Sequence, residues 1–327
     1  PLPLLDYTID RYTKKPVAKL DAPVRAVLRS GLAQAKYMQV PMSAAVNESV
    51  RLTKALGKSS AAGMVNAVLR KAVVTEVHED DFAAPLQRLG TYYCLSPAVA
   101  KLLYNQYDEE AFAMAAAFYE RPATAIRVNT LRTTDEDLTD LLHTEGHSVR
   151  PGPWPHALLV EFNGSPAASR AFARGLFHVQ GLASQFAALC VGAQPGQKVA
   201  DLCAAPGGKS LTLAECMQNQ GKLISGEYVE SRVPLLRKAF ARCGVTCAEA
   251  VQNDAAQLRS DWGKFDRILC DVPCSGLGVI AKKPDIRYKD LDGIENLLLS
   301  QQKILQNGAD LLAENGRLVY STCTVNR

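Results

Sequence analysis

The second half of the chain alternates short apolar runs with amphipathic runs, and this alternation constrains the fold more than any other feature. From about Gly175 onward, strand-like segments alternate with helix-like segments. The strand-like segments are KVADLCAA (198–205), GKLISGEYV (221–229), DRILCDVPC (266–274) and RLVYSTC (317–323). Such alternation is typical of a parallel, doubly wound sheet, which binds ligands beyond the carboxyl ends of its strands. The sequence therefore predicts an α/β domain over residues 171–327.

Residues 1–75 differ from the rest of the chain in both periodicity and charge. Apolar side chains recur at helical spacing in three segments, which predicts a helical bundle. These segments are residues 24–38, 44–52 and 63–74. The region holds 12 Lys and Arg against 4 Asp and Glu, whereas the remaining 252 residues hold 25 against 29. This asymmetry suggests a polyanion partner such as nucleic acid or an anionic membrane surface, although a solvated basic surface explains it equally well.

The two regions are separated by a segment of mixed character. Residues 76–85 are acidic and end in proline, which predicts a linker. Residues 86–170 combine a long helical stretch with two strand-like runs, which predicts a small α/β middle region. The stretch and the runs are residues 98–118, 125–130 and 157–162.

Composition narrows the class of protein. Of the 327 residues, 47% are hydrophobic and 21% are charged, which excludes disorder, collagen and coiled coil. The sequence has no apolar run near the length of about 18 residues that a membrane span needs, and its N-terminus does not resemble a signal peptide. Nine cysteines, an odd number, indicate free thiols in a reducing cytosol rather than a disulfide scaffold.

The first candidate site is the turn in DLCAAPGGKS (201–210), where glycines let backbone N–H groups approach a ligand closely. A Walker loop is excluded because Cys203 occupies the position of its first glycine, and the GxGxxG pattern of nicotinamide sites is absent. An S-adenosylmethionine site remains open. Glu227 lies 20 residues after Gly207, at the end of the next strand, where an acid would hold the ribose hydroxyls. An ordinary turn also remains open.

Further candidate residues follow the later strands. Asp254, in AVQNDA (250–255), comes after an apparent additional strand between segments 221–229 and 266–274, where it could meet an adenine amino group or cap a helix. Asp271 ends the strand RILCD (267–271). Cys274 and Cys323 also follow strands directly, which places two thiols at the predicted site edge. Each thiol alone is more often an inert core residue, but the pair suggests covalent catalysis.

A thiol pair beside a methyl-donor site has a specific chemical use. Carbon 5 of a pyrimidine is not nucleophilic until a thiolate adds to carbon 6. Carbon 5 can then accept a methyl group from a sulfonium. A second group must help to eliminate the enzyme from the product.

Four motifs, in order, resemble those of the NOL1/NOP2/Sun family of RNA cytosine-5 methyltransferases. They are RVNTLR (127–132), DLCAAPGGKS (201–210), FDRILCDVPCSGLGVIAKKPDIRY (265–288) and GRLVYSTCT (316–324). Residues 1–75 resemble a NusB-type RNA-binding domain, most clearly at VPMSAAVNESV (40–50) and VNAVLR (65–70). The resemblance extends over essentially the whole chain.

The resemblance implies a multidomain fold. Residues 1–75 would form an all-α NusB-like bundle, residues 86–170 a small α/β region that contacts RNA, and residues 171–327 a Rossmann-like methyltransferase domain. It also implies methyl transfer from S-adenosylmethionine to carbon 5 of a cytosine in 16S rRNA. We expect a cytoplasmic monomer without a metal ion and without a membrane partner.

The resemblance assigns roles to individual residues. Cofactor binding falls on Cys203, Ala204, Ala205, Pro206, Gly207, Gly208, Lys209, Glu227, Asp254 and Asp271. Asp271 contacts the target base as well. Cys323 is the nucleophile and Cys274 assists release of the product. This assignment reverses the one in DNA cytosine-5 methyltransferases, in which the Pro-Cys thiol attacks.

The chain departs from the family pattern in four places. Glu227 and Gly181 both stand where aspartate is commoner. The chain ends four residues after Cys323, whereas the family continues through further strands. The first helix of a NusB-type domain is expected to be missing.

Two other functions remain open. A non-catalytic RNA-binding factor could keep this fold, and a failure to bind S-adenosylmethionine would identify it. A zinc protein is suggested by the C-x3-C spacing of Cys243 with Cys247 and of Cys270 with Cys274. The five histidines, however, are not placed to complete a tetrahedral site.

Overall fold

The computed structural model describes residues 1–120 and 123–326 and divides into two compact units. The first unit contains Pro1–Glu120, Leu277–Leu291 and the residues from Val325 onward. The second contains the described residues from 123 to 276 and Asp292–Thr324. No helix in the described part of the chain is long and apolar enough to cross a bilayer.

The first unit is helical. Its helices are α1 (Leu2–Asp10), α2 (Ala22–Tyr37), α3 (Met42–Ala55), α4 (Ala62–Val74), α5 (Pro85–Gln87), α6 (Pro97–Tyr107) and α7 (Glu110–Ala117). Helices α2, α3 and α4 confirm the three predicted from periodicity, and Leu28 and Leu69 form one core with Ile9 of α1. Helix α1 is an addition to the predicted elements. Prolines occur in loops as well as at helix starts, so the prolines near the start of α1 did not indicate a helix.

Two further differences enlarge the helical unit. The predicted linker at residues 76–85 packs into it, because Phe82 is buried and its ring centroid lies 4.8 Å from that of Tyr7. The predicted helical stretch at residues 98–118 is divided at Asp108, whose φ of +51° ends α6. Residues 86–120, predicted to belong to the middle region, therefore lie in the first unit.

The second unit contains an antiparallel sheet of four strands in the order β2-β3-β1-β4. The elements here are β1 (Thr124–Val128), α8 (Asp135–Thr144), β2 (Ser148–Pro151), β3 (Ala157–Glu161), α9 (Arg170–Ala173) and β4 (Phe177–Val179). Strand β4 lies beyond the predicted end of the middle region at residue 170, yet it pairs with β1 at Ile126 and Val179. A strand of three residues carries no sequence signal for the sheet that it joins.

The same unit contains a parallel sheet of five strands in the order β7-β6-β5-β8-β9. Its elements are α10 (Leu182–Cys190), β5 (Lys198–Asp201), α11 (Gly208–Cys216), β6 (Lys222–Glu227), α12 (Val233–Cys243), β7 (Ala248–Gln252), β8 (Phe265–Asp271), α13 (Ile294–Asp310) and β9 (Leu312–Ser321). This arrangement confirms the predicted doubly wound fold. The strand order reverses between β5 and β8, which is where such sheets bind ligands.

Both faces of the parallel sheet are covered. Val199 and Leu223 face the core that α11 and α12 share. The next residues, Ala200 and Ile224, face the core that contains Ile304 of α13. Since successive side chains of a strand point to opposite faces, two buried faces explain the unbroken apolar runs of the sequence.

A buried ionic network joins the two sheets of this unit. Arg127 Nε of β1 donates to Glu215 Oε2 at 2.7 Å, and His178 Nε2 of β4 lies 3.0 Å from Glu215 Oε1. None of the three residues is more than 4% exposed. Breaking a buried ion pair leaves an uncompensated charge, so the network holds α11 against the antiparallel sheet.

Candidate active site

The turn between β5 and α11 is shaped by Gly207. Its φ is +110°, and a Cβ atom at this position would lie 3.1 Å from Leu236 Cδ2, so only glycine fits without strain. Helix α11 begins at the next residue, and the backbone N–H of Ala204 donates to the Gly226 carbonyl at 2.8 Å. The predicted cofactor loop, residues 203–209, is thus a tight connection at the carboxyl edge of the sheet.

Glu227 meets this loop directly. It ends β6, is 6% exposed, and its Oε2 accepts a hydrogen bond from the Ala205 backbone N–H at 3.3 Å. Its Oε1 accepts from the Val229 backbone N–H at 2.9 Å. The structure therefore brings the predicted ribose acid beside the predicted loop.

Asp254 lies two residues beyond β7 and stabilises its own turn. Its Oδ1 accepts from the Ala256 backbone N–H at 3.0 Å, and its Oδ2 accepts from Gln257 Nε2 at 3.1 Å. These bonds fit the capping role that the sequence left open for this residue. Its position after β7 nevertheless keeps it on the edge of the sheet that carries Glu227.

Asp271 connects three segments of the site. It ends β8, and its Oδ2 accepts from Lys209 Nζ of the predicted cofactor loop at 2.6 Å. Its Oδ1 accepts from the Ser321 hydroxyl, at the end of β9, at 2.8 Å. This carboxylate is thus fixed by a cation on one side and a hydroxyl on the other.

The two candidate thiols lie together. Cys274 Sγ is 2.8 Å from Cys323 Sγ and accepts the Cys323 backbone N–H at 3.2 Å. Both cysteines are free; Cys323 is exposed and Cys274 is partly buried. The pairing of β8 with β9 brings the thiols together, since Asp271 and Ser321 are register partners at the ends of these strands.

The thiols differ in acidity. The hydrogen bond from Cys323 lowers the pKa of Cys274 to about 6, with further stabilisation of the thiolate from backbone N–H groups of Gly276 and Cys323. The same hydrogen bond, from the side of the donor, raises the pKa of Cys323. At five other cysteines burial raises the thiol pKa: Cys203, Cys216, Cys243, Cys247 and Cys270. The hydrogen bond between the thiols therefore favours the thiolate form of Cys274 over that of Cys323.

Asp201 is a candidate that sequence reasoning missed. It ends β5 and is fully buried; burial raises the pKa of its carboxyl group to about 6. Oδ2 accepts from the Ser210 hydroxyl at 2.7 Å, while Oδ1 has no hydrogen-bond partner in the described structure. The available signal was an acid that directly follows the apolar residues Val199 and Ala200, six residues before Gly207.

Comparison with known proteins places the chain in a family. It is 34% identical to the "Probable ribosomal RNA small subunit methyltransferase B" of Bacillus subtilis (strain 168), over 99% of this chain and 73% of that protein. It is 32% identical to the ribosomal RNA small subunit methyltransferase B of Pseudomonas syringae pv. tomato, over 98% of this chain and 72% of that protein. The chain belongs to the ribosomal RNA small subunit methyltransferase B family.

Three family models match successive parts of the chain. Residues 2–73 match the NusB family, and residues 99–165 match the ferredoxin-like domain of RsmF/B-like methyltransferases. Residues 188–327 match the family described as 16S rRNA methyltransferase RsmB/F. The crystal structure of PH0851 matches at a TM-score of 0.80 with 25% identity, over 99% of this chain and 74% of that one. These matches confirm the resemblance and the fold class predicted from the motifs.

Proposed function

We propose that this chain transfers a methyl group from S-adenosylmethionine to carbon 5 of a cytosine in 16S rRNA. In this proposal Cys323 is the nucleophile and Cys274 assists release of the product. The observation that carries the proposal is the pair of free thiols, 2.8 Å apart, at the ends of adjacent parallel strands. An rRNA methyltransferase activity in the family agrees with it.

The charges at the strand ends suit S-adenosylmethionine. A carboxylate lies at or just beyond the end of four neighbouring strands: Asp201, Glu227, Asp254 and Asp271. One of these, Asp201, keeps an unpartnered buried oxygen. The ligand has a cationic sulfonium, an ammonium group and a ribose diol, all of which carboxylates recognise. When bound there, it supplies the methyl group that carbon 5 accepts.

The thiol pair explains how the nucleophile is activated. In this proposal Cys323 holds the proton that the two thiols share, and the Cys274 thiolate lies 2.8 Å from it, within proton-transfer distance. Transfer of that proton to Cys274 makes Cys323 a thiolate, which adds to carbon 6 of the cytosine. Release then requires removal of the carbon 5 proton and elimination of Cys323. Cys274, once its proton has passed to solvent, is a base close enough to assist this step.

A direct experiment tests the proposal. Unmodified 16S rRNA is incubated with the protein and methyl-labelled S-adenosylmethionine, and the product is mapped for 5-methylcytosine. Label at carbon 5 of a cytosine is expected. Label on another base or on a ribose would refute cytosine-5 specificity, and a protein that binds RNA but not S-adenosylmethionine would be a scaffold.

Glu227→Ala is expected to weaken S-adenosylmethionine binding by about 10- to 100-fold, because a carboxylate hydrogen bond is worth roughly 1.5–3 kcal/mol. Glu227→Asp should retain most of the affinity. Glu249→Ala is a matched control, since this acid lies on β7 paired with surface Lys222. Titration calorimetry measures all three variants. Wild-type affinity in Glu227→Ala would remove this residue from the binding site.

The helical unit offers cations for an RNA backbone. Lys14, Lys15 and Lys19 are exposed and form no ion pair with the described residues, whereas Arg29 is paired with Asp6 and Lys58 with Asp21. Unpaired cations can release phosphate counterions when they bind nucleic acid. These three lysines therefore suit an RNA contact better than the paired residues do.

Replacing Lys14, Lys15 and Lys19 together by glutamine should lower the slope of log affinity against log salt by about 2 to 3. Filter binding of 16S rRNA over a range of salt concentrations measures the slope. A control variant with Lys222, Lys238 and Lys264 replaced by glutamine removes the same charge from other exposed positions. Equal slopes for the two triple variants would contradict RNA binding through these residues of the helical unit.

A further inference from the structure

One side chain of α13 contacts both segments that carry the thiols. Gln301 Nε2 donates to the Pro273 carbonyl at 2.8 Å, and the Tyr320 hydroxyl donates to Gln301 Oε1 at 3.1 Å. Pro273 directly precedes Cys274, and Tyr320 lies three residues before Cys323. A single amide group therefore bridges the two segments.

The bridge lies where the strand ladder ends. The last backbone bond between the two segments runs from the Val272 N–H to the Ser321 carbonyl, at 3.1 Å. The next residue, Pro273, has no N–H to continue the ladder, and its carbonyl accepts from Gln301 instead of from the neighbouring strand.

The chemistry of the bridge is specific for an amide. The Pro273 carbonyl only accepts hydrogen bonds, so the NH₂ group of Gln301 must face it and the amide oxygen is left for the Tyr320 hydroxyl. An ionised glutamate could accept from Tyr320 but could not donate to Pro273. A lysine could donate to Pro273 but could not accept.

Helix α13 itself is held firmly against the sheet. At Gly308 a Cβ atom would lie 2.9 Å from Cys270 Sγ of β8 and 2.9 Å from Leu318 Cδ1 of β9. The neighbouring turn of the helix buries Ile304 in the same core. Gln301 therefore projects from a rigid support, whereas Cys274 lies on a segment beyond the end of its strand.

We propose that Gln301 is a positioning residue that holds the Pro-Cys segment in register with Cys323, so that the two thiols stay in contact. This inference rests on the proposed function for its catalytic consequence, but the thiol geometry can be tested without that function. Two contacts depend on this positioning: the contact between the two Sγ atoms at 2.8 Å, and the hydrogen bond from the Cys323 N–H to Cys274 Sγ at 3.2 Å. A displacement of about 1 Å in such a site can cost up to about 100-fold in rate.

The test uses Gln301→Glu, Gln301→Ala and Tyr320→Phe in the full chain. Both Gln301 variants should lower kcat for methyl transfer by roughly 10- to 100-fold, with KM for S-adenosylmethionine and for RNA within about twofold of wild type. Alkylation of Cys274 by iodoacetamide, followed by peptide mass analysis, should move to higher pH in both, because the thiolate loses its donors. Tyr320→Phe should have a smaller effect, because the bond to Pro273 remains.

Gln302→Ala is the matched control, since Gln302 is the next residue of the same helix and is exposed. It should match wild type in both measurements, and circular dichroism checks that every variant is folded. Wild-type kcat and a wild-type Cys274 alkylation profile in Gln301→Ala would overturn the inference. If the wild-type protein itself fails to methylate cytosine, the proposed function fails, and the alkylation profiles still decide the role of Gln301.

Discussion

Replacing Cys323 by alanine should lower the rate of cytosine methylation by about 10⁶-fold, the loss typical of removing a covalent nucleophile. The exposed position of Cys323 at the end of the segment that follows β9 leaves its sulfur accessible to a base that is turned out of the RNA. Single-turnover assays with labelled S-adenosylmethionine measure the loss. Cys190→Ala, at a free cysteine on α10, is a matched control and should retain wild-type activity.

Cys274→Ala should behave differently, because it leaves the nucleophile in place. The adduct between Cys323 and the cytosine should form slowly and then persist, since the group that assists elimination is missing. A complex of protein and RNA that survives denaturing electrophoresis should therefore accumulate with Cys274→Ala and be absent with Cys323→Ala or with both cysteines replaced. Trapping by Cys323→Ala in place of Cys274→Ala would show that the thiols have the opposite roles.

The acidity of Cys274 gives this experiment a second readout. Because its pKa is lowered to about 6, the thiolate is present above that pH and is lost as the pH falls below it. The rate of adduct formation, during which Cys323 is still a free thiol beside Cys274, should therefore decrease below about pH 6. In Cys274→Ala this decrease should vanish, since the group that titrates is absent.

Asp271→Ala should reduce kcat/KM by about 10³-fold, because the carboxylate is both a charge at the proposed methyl-transfer site and the partner of Lys209. Its loss leaves the Lys209 ammonium group, only 16% exposed, without a counter-charge. Asp271→Asn preserves the shape but not the charge and should be nearly as impaired. Kinetics at saturating RNA, together with calorimetry of S-adenosylmethionine binding, separate the loss of turnover from the loss of affinity.

Two further variants define what the Asp271 effect means. Ser321→Ala removes only the hydroxyl that donates to Asp271 Oδ1, so a loss of about 10-fold is expected. Asp261→Ala removes an exposed acid paired with Arg259 and should leave activity unchanged. Asp271→Asn at wild-type activity would show that the charge of Asp271 has no role.

The carboxyl edge of the parallel sheet could be predicted from the sequence because local signals specify it. Apolar runs of strand length followed by Gly207, Asp271 and the two cysteines mark where strands end, and parallel strands bring those ends to one edge. The observed contacts of Glu227 with the loop and of Cys274 with Cys323 agree with that prediction.

The features that could not be predicted from the sequence depend on contacts between segments that are distant along the chain. Gln301 belongs to the polar face of an amphipathic helix, where a glutamine is unremarkable until the Pro273 carbonyl is seen to face it. Asp201 was missed because no local pattern shows that its side chain is buried against Ser210, and β4 was missed because it has only three residues. The end of α6 at Asp108 depends on a positive φ angle, which no local sequence pattern predicted.

The segment Leu277–Leu291 belongs to the helical unit, although the chain before and after it belongs to the second unit. This arrangement limits where the gene for such a protein can be divided. Leu277 and Ile280 are fully buried there, in a core with Leu89 and Val99. A gene fragment that starts after residue 120 would encode these apolar side chains without the helices that cover them, and exposed apolar surface promotes aggregation. Recombination that exchanges one methyltransferase portion for another would therefore have to carry this loop together with the helices of residues 86–120 that cover it.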